Sequence, residues 1–232
     1  MRRLLLVAAL AVAAAWAAAP AGAATNECRG LKVCVPVVGP WVIVPTSRAV
    51  PRPHVQFQLS CPKGYIAGGT DAELSSGAID VAFFASLGAP VNPGVSTSRD
   101  VVFVGTYVGS KKVLPSFRPH LGCMPASGGG SRTPTAVVVP PGKPIVRHVK
   151  NVALHPGRQA ASVSCAPSER LVDVQSAVGF VAQLPPQELL PHDITVERKV
   201  VGGGVKARLT TVMIPPGAKG IVQLMAVCAG GK

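Results

Sequence analysis

The sequence predicts an all-β protein, built as two tandem, disulfide-stapled β-sandwich domains behind a signal peptide. Three observations predict it. The cysteines recur at matched spacing, Cys61 to Cys123 over 62 positions and Cys165 to Cys228 over 63. Their flanks match as well, "VQFQLSC" and "QAASVSC" before the first of each pair, "SFRPHLGC" and "IVQLMAVC" before the second. Self-similarity at a fixed period marks a repeated structural unit. Valine, glycine and proline are abundant while aromatic residues make up 4% of the chain, a mixture that suits short strands cut by turns better than helices. Finally, the chain opens with an export segment. Its six cysteines then meet an oxidising compartment, where an even number can pair completely.

Taken in order, Arg2 and Arg3 precede an apolar, alanine-rich run, and Ala21-Gly22-Ala23 offers a small-residue cleavage site. Residues 1–23 therefore read as a secretory signal peptide, with an apolar stretch too short to span a membrane. Glu27 stands directly before Cys28, where a lipoprotein signal needs a small residue, so lipidation there is not expected. No long apolar stretch follows, which predicts a secreted or extracytoplasmic protein without a transmembrane anchor, free or retained at the cell envelope. Six cysteines allow 15 pairings; the repeat favours Cys61–Cys123 and Cys165–Cys228, which leaves Cys28 and Cys34 to close a small loop in an N-terminal segment, residues 24–40.

The first module is read over residues 41–124. The chain enters it through "LKVCVPVVGPWVIVPTS" as an edge strand, because its prolines are poorly placed in a central ladder. Val55, Phe57, Leu59 and Cys61 then share one face of the clearest strand in this half. Another short strand begins near Tyr65, with "TDAELSSG" as a loop. "AIDVAFFASLG" reads as strand in preference to helix, because its neighbours are short and bounded by glycine. "RDVVFVGTYVG" is a further strand, and Phe117, Leu121 and Cys123 fall in phase on a closing one.

Residues 125–135, "PASGGGSRTPT", lack apolar periodicity and read as a Gly/Ser/Pro linker. The second module, 136–232, repeats the plan: an early valine strand, then a cysteine strand with Ala161, Val163 and Cys165 on one face. Alternation from Val205 to Met213 puts Lys206 and Arg208 on a solvent side, and the last strand carries Val222, Leu224, Ala226 and Cys228 in phase. Pairing each module's cysteine strand with its last strand would carry a bridge across a buried core. That architecture resembles the immunoglobulin-like sandwich. The chain departs from the immunoglobulin pattern in having no tryptophan between the cysteines of either pair.

Composition bounds function more loosely. Lysine and arginine number 23 against 10 acidic residues, a formal net charge of +13. Losing Arg2 and Arg3 with the signal leaves 21 against 10, or +11. Such a balance attracts polyanions. No HExxH, G-x-S-x-G or G-x-x-x-x-G-K-[ST] pattern occurs. The five histidines are scattered, although "RPH" recurs at 52–54 and 118–120. Asp71 with Glu73 is too small a carboxylate set for calcium, and Asp173, Ser176, His192 and Asp193 form a triad only by free assembly. No catalytic residue, metal or cofactor is assigned.

The candidate anion-binding residues are Lys111, Lys112, Arg147, His148, Lys150, Lys206 and Arg208, which form one basic stripe if their strand faces align. Trp41 is the candidate protein-contact residue. Nucleic acid is not an expected partner, since base stacking needs aromatics that are scarce here. The expected function is a noncatalytic binding or structural protein recognising an anionic surface polymer, glycan or lipid. An adaptor or inhibitor of a partner protein, and a secreted hydrolase with an unrecognised site, are the alternatives.

Overall fold

Thirteen strands make up the computed structural model, which describes residues 25–47, 49–85, 99–110, 114–126, 145–185 and 193–230. The expected signal segment and most of the linker expected at 125–135 lie outside the described residues. In the first half the strands are β1 (Val35–Val38), β2 (Trp41–Ile43), β3 (His54–Ser60), β4 (Tyr65–Leu74), β5 (Ile79–Ala85), β6 (Asp100–Tyr107) and β7 (Ser116–Pro125). In the second half they are β8 (Ile145–Ala153), β9 (Gly157–Ser164), β10 (Glu169–Val181), β11 (Ile194–Val201), β12 (Gly204–Thr211) and β13 (Lys219–Gly230). The "AIDVAFFASLG" segment supplies strand β5. "TDAELSSG" is not the expected loop, because β4 runs on through Leu74, with Asp71 facing His120 and Glu73 facing Arg118 of β7.

The strands form three sheets. A seven-stranded central sheet holds β1, β2, β4 and β7 together with β8, β10 and β13, and two three-stranded sheets flank it, β3-β6-β5 and β11-β12-β9. This corrects the expectation of two tandem, immunoglobulin-like sandwich domains. The fold is all-β with three disulfides, but its sheets interleave and the halves are not separable sandwiches. The decisive element is β2. Its Val42 pairs with Phe117 of β7 on one edge and with Gly179 of β10 on the other, so one sheet runs through both halves. Of the segment expected as an edge strand, β1 does lie at an edge of the central sheet, whereas β2 is interior. Pro36 is tolerated on the edge strand β1, and the strands break around Pro40 and Pro45. Between β1 and β2 the Gly39 amide donates to Pro119 O at 2.8 Å, and past β2 the Val44 amide donates to Pro115 O at 2.8 Å. The ladder passes Pro40 without needing its missing N–H.

The two flanking sheets cover opposite faces of the central one. Residues directly opposed in a ladder share a face, and neighbours along a strand alternate. Phe117, Val42 and Gly179 therefore lie on one face, with Ala177 two residues along β10, while Val178 and its partner Val222 lie on the other. The first core gathers Val42, Phe117, Leu121 and Ala177 with Val55, Phe57 and Phe103 of the first flanking sheet. Through Ala177, a second-half strand contributes to the first-half core. The second core joins Val222 and Leu224 to Ala161, Val205, Ala207 and Leu209. Two long-range disulfides each tie the end of a flanking strand to the central sheet, Cys61 to Cys123 and Cys165 to Cys228. Cys28 bonds to Cys34.

A side chain makes a second tie between the halves. Gln223, 1% exposed on β13, accepts from the Gln58 amide at 2.6 Å and donates to the Gln58 carbonyl at 2.8 Å. Its amide thereby does for the outer edge of β3 what a neighbouring strand would do. The Gln223 amide nitrogen also donates to Asn151 Oδ1 at 3.0 Å.

Candidate functional site

On the face of the central sheet that carries the second flanking sheet, the first half is covered by the N-terminal segment instead. Gly69 and Gly122 are ladder partners beneath it. A Cβ at either position would sit well inside van der Waals contact of the Glu27 carbonyl oxygen, so this close approach requires glycine. The Asn26 amide donates to Asp71 Oδ2 at 2.6 Å. The segment thus delivers buried Glu27 to His120, itself 4% exposed. His120 Nδ1 lies 3.4 Å from Glu27 Oε1 and Nε2 lies 3.6 Å from Glu73 Oε1, while Arg118 stands 3.7 Å from Glu73 Oε2.

This cluster fastens the N-terminal segment to the sheet. The carboxylates weighed for calcium are engaged: Asp71 accepts from the Asn26 and Ala72 amides, and Glu73 faces Arg118 and His120. Of the residues weighed as a triad, Asp173 accepts from the Val174 amide and the Gln175 side chain, both at 2.7 Å. His192 lies outside the described residues.

Trp41 is not an exposed contact residue. It pairs across the sheet with Phe180, is 4% exposed, and lies 5.8 Å from the Arg118 guanidinium. Strand β2 is interior and its tryptophan is covered, so Trp41 offers a partner protein no exposed ring.

The seven basic candidates do not form one stripe. Lys111 and Lys112 lie outside the described residues. On β8, strand alternation puts Arg147 on one face of the central sheet and His148 with Lys150 on the other. His148 is committed to a partner: its Nε2 donates to Glu169 Oε2 at 2.6 Å, and the Ala166 amide donates to the same oxygen at 2.8 Å. The Ala166 amide, followed by the His148 hydrogen bond and its charge, holds the Glu169 carboxyl below its ordinary value. Cys228 sulfur lies near both groups, but its bond to Cys165 leaves no thiolate for a metal.

No protein-family model, curated protein or solved structure matches this chain.

Lys206 and Arg208 do share a surface, the outer face of β11-β12-β9. Val205, Ala207 and Leu209 of β12 are buried against the central sheet, so the alternate residues point outward. Register adds two cations absent from the expected set: Lys199 of β11 lies directly opposite Lys206, and Arg158 of β9 lies opposite Thr210. All four are exposed. Glu197, opposite Arg208 and 3.7 Å from its guanidinium, is the single acid on this face among the described residues. The signal for Lys199 is present in "ITVERKVV", whose inward Ile194 and Val196 imply outward Thr195, Glu197 and Lys199. The hairpin that aligns Lys199 with Lys206 turns at Gly202 and Gly203, with Gly202 at a φ of 57°, the conformation a two-residue turn asks of glycine.

Two clefts flank β2. One, of about 430 Å³, has an apolar lining that includes Ile43, Val178, Phe180 and Ile194. The other, of about 580 Å³, is walled by Trp41, Asp71, Glu73 and Arg118. In the second, Asp71 is taken up by the Asn26 and Ala72 amides and Glu73 faces Arg118.

Proposed function

We propose that this protein is a noncatalytic, extracytoplasmic binding module whose outer β11-β12-β9 face recognises an anionic polymer. The observation that carries this is the direct opposition of Lys199 and Lys206 on an open sheet face, with Arg158 and Arg208 beside them and one acid present. Like charges directly opposed on a sheet destabilise it. A polymer with phosphate, sulfate or carboxylate groups relieves that repulsion on binding. Lys206 and Arg208 stand two residues apart on one strand, about 7 Å, and so address successive anionic groups on an extended chain. The overall positive charge draws such a chain in before the face makes its contacts.

The test is binding of the oxidised mature protein to anionic envelope polymers across a salt series, with Lys199→Glu/Lys206→Glu beside wild type. The double variant is expected to bind at least about tenfold more weakly near 0.15 M salt, where the screening length is about 8 Å. Lys150→Glu, on a different surface, is expected to retain most of the affinity. Equal loss in both variants would reduce the interaction to general charge and remove the face from the proposal.

A further inference from the structure

Strand β5 is the exposed edge of the first flanking sheet, pairing with β6 alone among the described residues. The other described edges are protected in ways that discourage strand addition. Strand β1 contains Pro36, β4 is bulged at Gly68, β8 carries Lys150, β9 carries Arg158, β11 carries Lys199, and Gln223 occupies the outer edge of β3. Strand β5 lacks these devices. Its one charge, Asp80, sits near its start, which leaves Val81–Ala85 without charge, proline or bulge. Phe83 is 43% and Phe84 55% exposed.

We infer that β5 is a self-association edge, which pairs antiparallel with β5 of a second copy and extends the three-stranded sheet to six strands across a twofold axis. The sequence of the strand selects this occupant. A twofold perpendicular to the sheet keeps each face continuous, so it pairs residues of like parity. Centred on Phe83, it sets Phe83 against its own copy, Phe84 against Ala82, and Val81 against Ala85. Large residues meet small ones around a central aromatic pair, the kind of cross-strand contact that stabilises sheets. The two Asp80 side chains fall at opposite ends, about 20 Å apart along the strands, so the strand does not repel itself. The cations of the β11-β12-β9 face belong to the other flanking sheet, on the opposite side of the central one.

The rest of the molecule opposes the union through its net charge, +13 over the full chain. Salt therefore strengthens the dimer, because the screening length falls from about 10 Å at 0.1 M to about 3 Å at 1 M. Salt weakens polyanion binding, so the two interactions separate experimentally. One strand pair places the interface at the small, weak end of protein contacts.

The experiment is sedimentation equilibrium of the oxidised mature protein at both salt concentrations, up to roughly 1 mM protein, beside Ala82→Lys and Phe84→Lys. Both substitutions are on the outward, exposed positions of β5, and thermal melting verifies that each variant folds. Wild type is expected to approach twice its monomer mass with rising concentration, more readily at high salt, while both folded variants stay monomeric. A wild type that remains monomeric throughout, or a folded variant that dimerises as wild type does, would overturn the inference. Polyanion binding by monomeric Ala82→Lys shows that the two surfaces act independently.

Discussion

Glu169 shows how a single side chain ties stability to pH. Its carboxylate accepts from the Ala166 amide and from His148 in the folded chain, and these contacts hold its carboxyl below the ordinary range. A group whose folded pKa is depressed contributes stability that is fully present above its unfolded pKa, about 4.3 for glutamate. That contribution is lost as pH falls through the lower, folded value. Urea denaturation of wild type and Glu169→Gln between neutral and strongly acidic pH is expected to show a gap that narrows on acidification. A gap independent of pH would mean that the charge of Glu169 plays no part. In linear order His148 reads as a cation awaiting an anionic ligand, and its anion proves to be Glu169 of the same chain. No local pattern announces a partner 21 residues away, because the contact depends on β8 and β10 flanking β13.

Strand β3 depends on a residue from the far end of the chain. Gln223 supplies both a donor and an acceptor to the Gln58 peptide, in a site from which water is largely excluded. Replacing it with leucine leaves those backbone groups without their partner, a loss of about 1–3 kcal/mol. The urea midpoint of Gln223→Leu, with an unchanged denaturant slope, reports it, and a shift equivalent to less than about 0.5 kcal/mol would show that the amide pair is dispensable. The strand content itself is legible in the sequence, since "HVQFQLS" and "KARLT" alternate with the pitch of a pleated strand and the cysteines mark which face is buried. Element boundaries are less so. "TDAEL" has the composition of a loop, yet Asp71 and Glu73 are held in strand by their register with His120 and Arg118, a tertiary preference that outweighs local propensity.

At the scale of the whole molecule, the shared central sheet predicts one cooperative unfolding event. Differential scanning calorimetry of the oxidised protein is expected to give a single transition with equal calorimetric and van't Hoff enthalpies. Two resolved transitions would contradict the coupling through β2. The repeated cysteine spacing signals that each half ties a flanking strand to a closing strand, but likeness of the halves says nothing of their association. The backbone ladder that joins them runs through Trp41–Ile43, three residues without a distinctive pattern, beside prolines that in most sheets mark an edge. The basic face is half visible, because Lys206 and Arg208 lie on one strand, whereas their companionship with Lys199 and Arg158 rests on cross-strand register that periodicity alone does not supply.

The position of β2 also orders events in time. It precedes both of its ladder partners in the chain, which begin at Ser116 and Glu169. The strand that completes the neighbourhood of β10 ends at Gly230. The seam therefore waits until β10 and β13 have been made, and until then the first half has no finished partner for the outer edge of β2. Such distant pairings make for slow acquisition of structure, so the seam is among the last parts of the sheet to close.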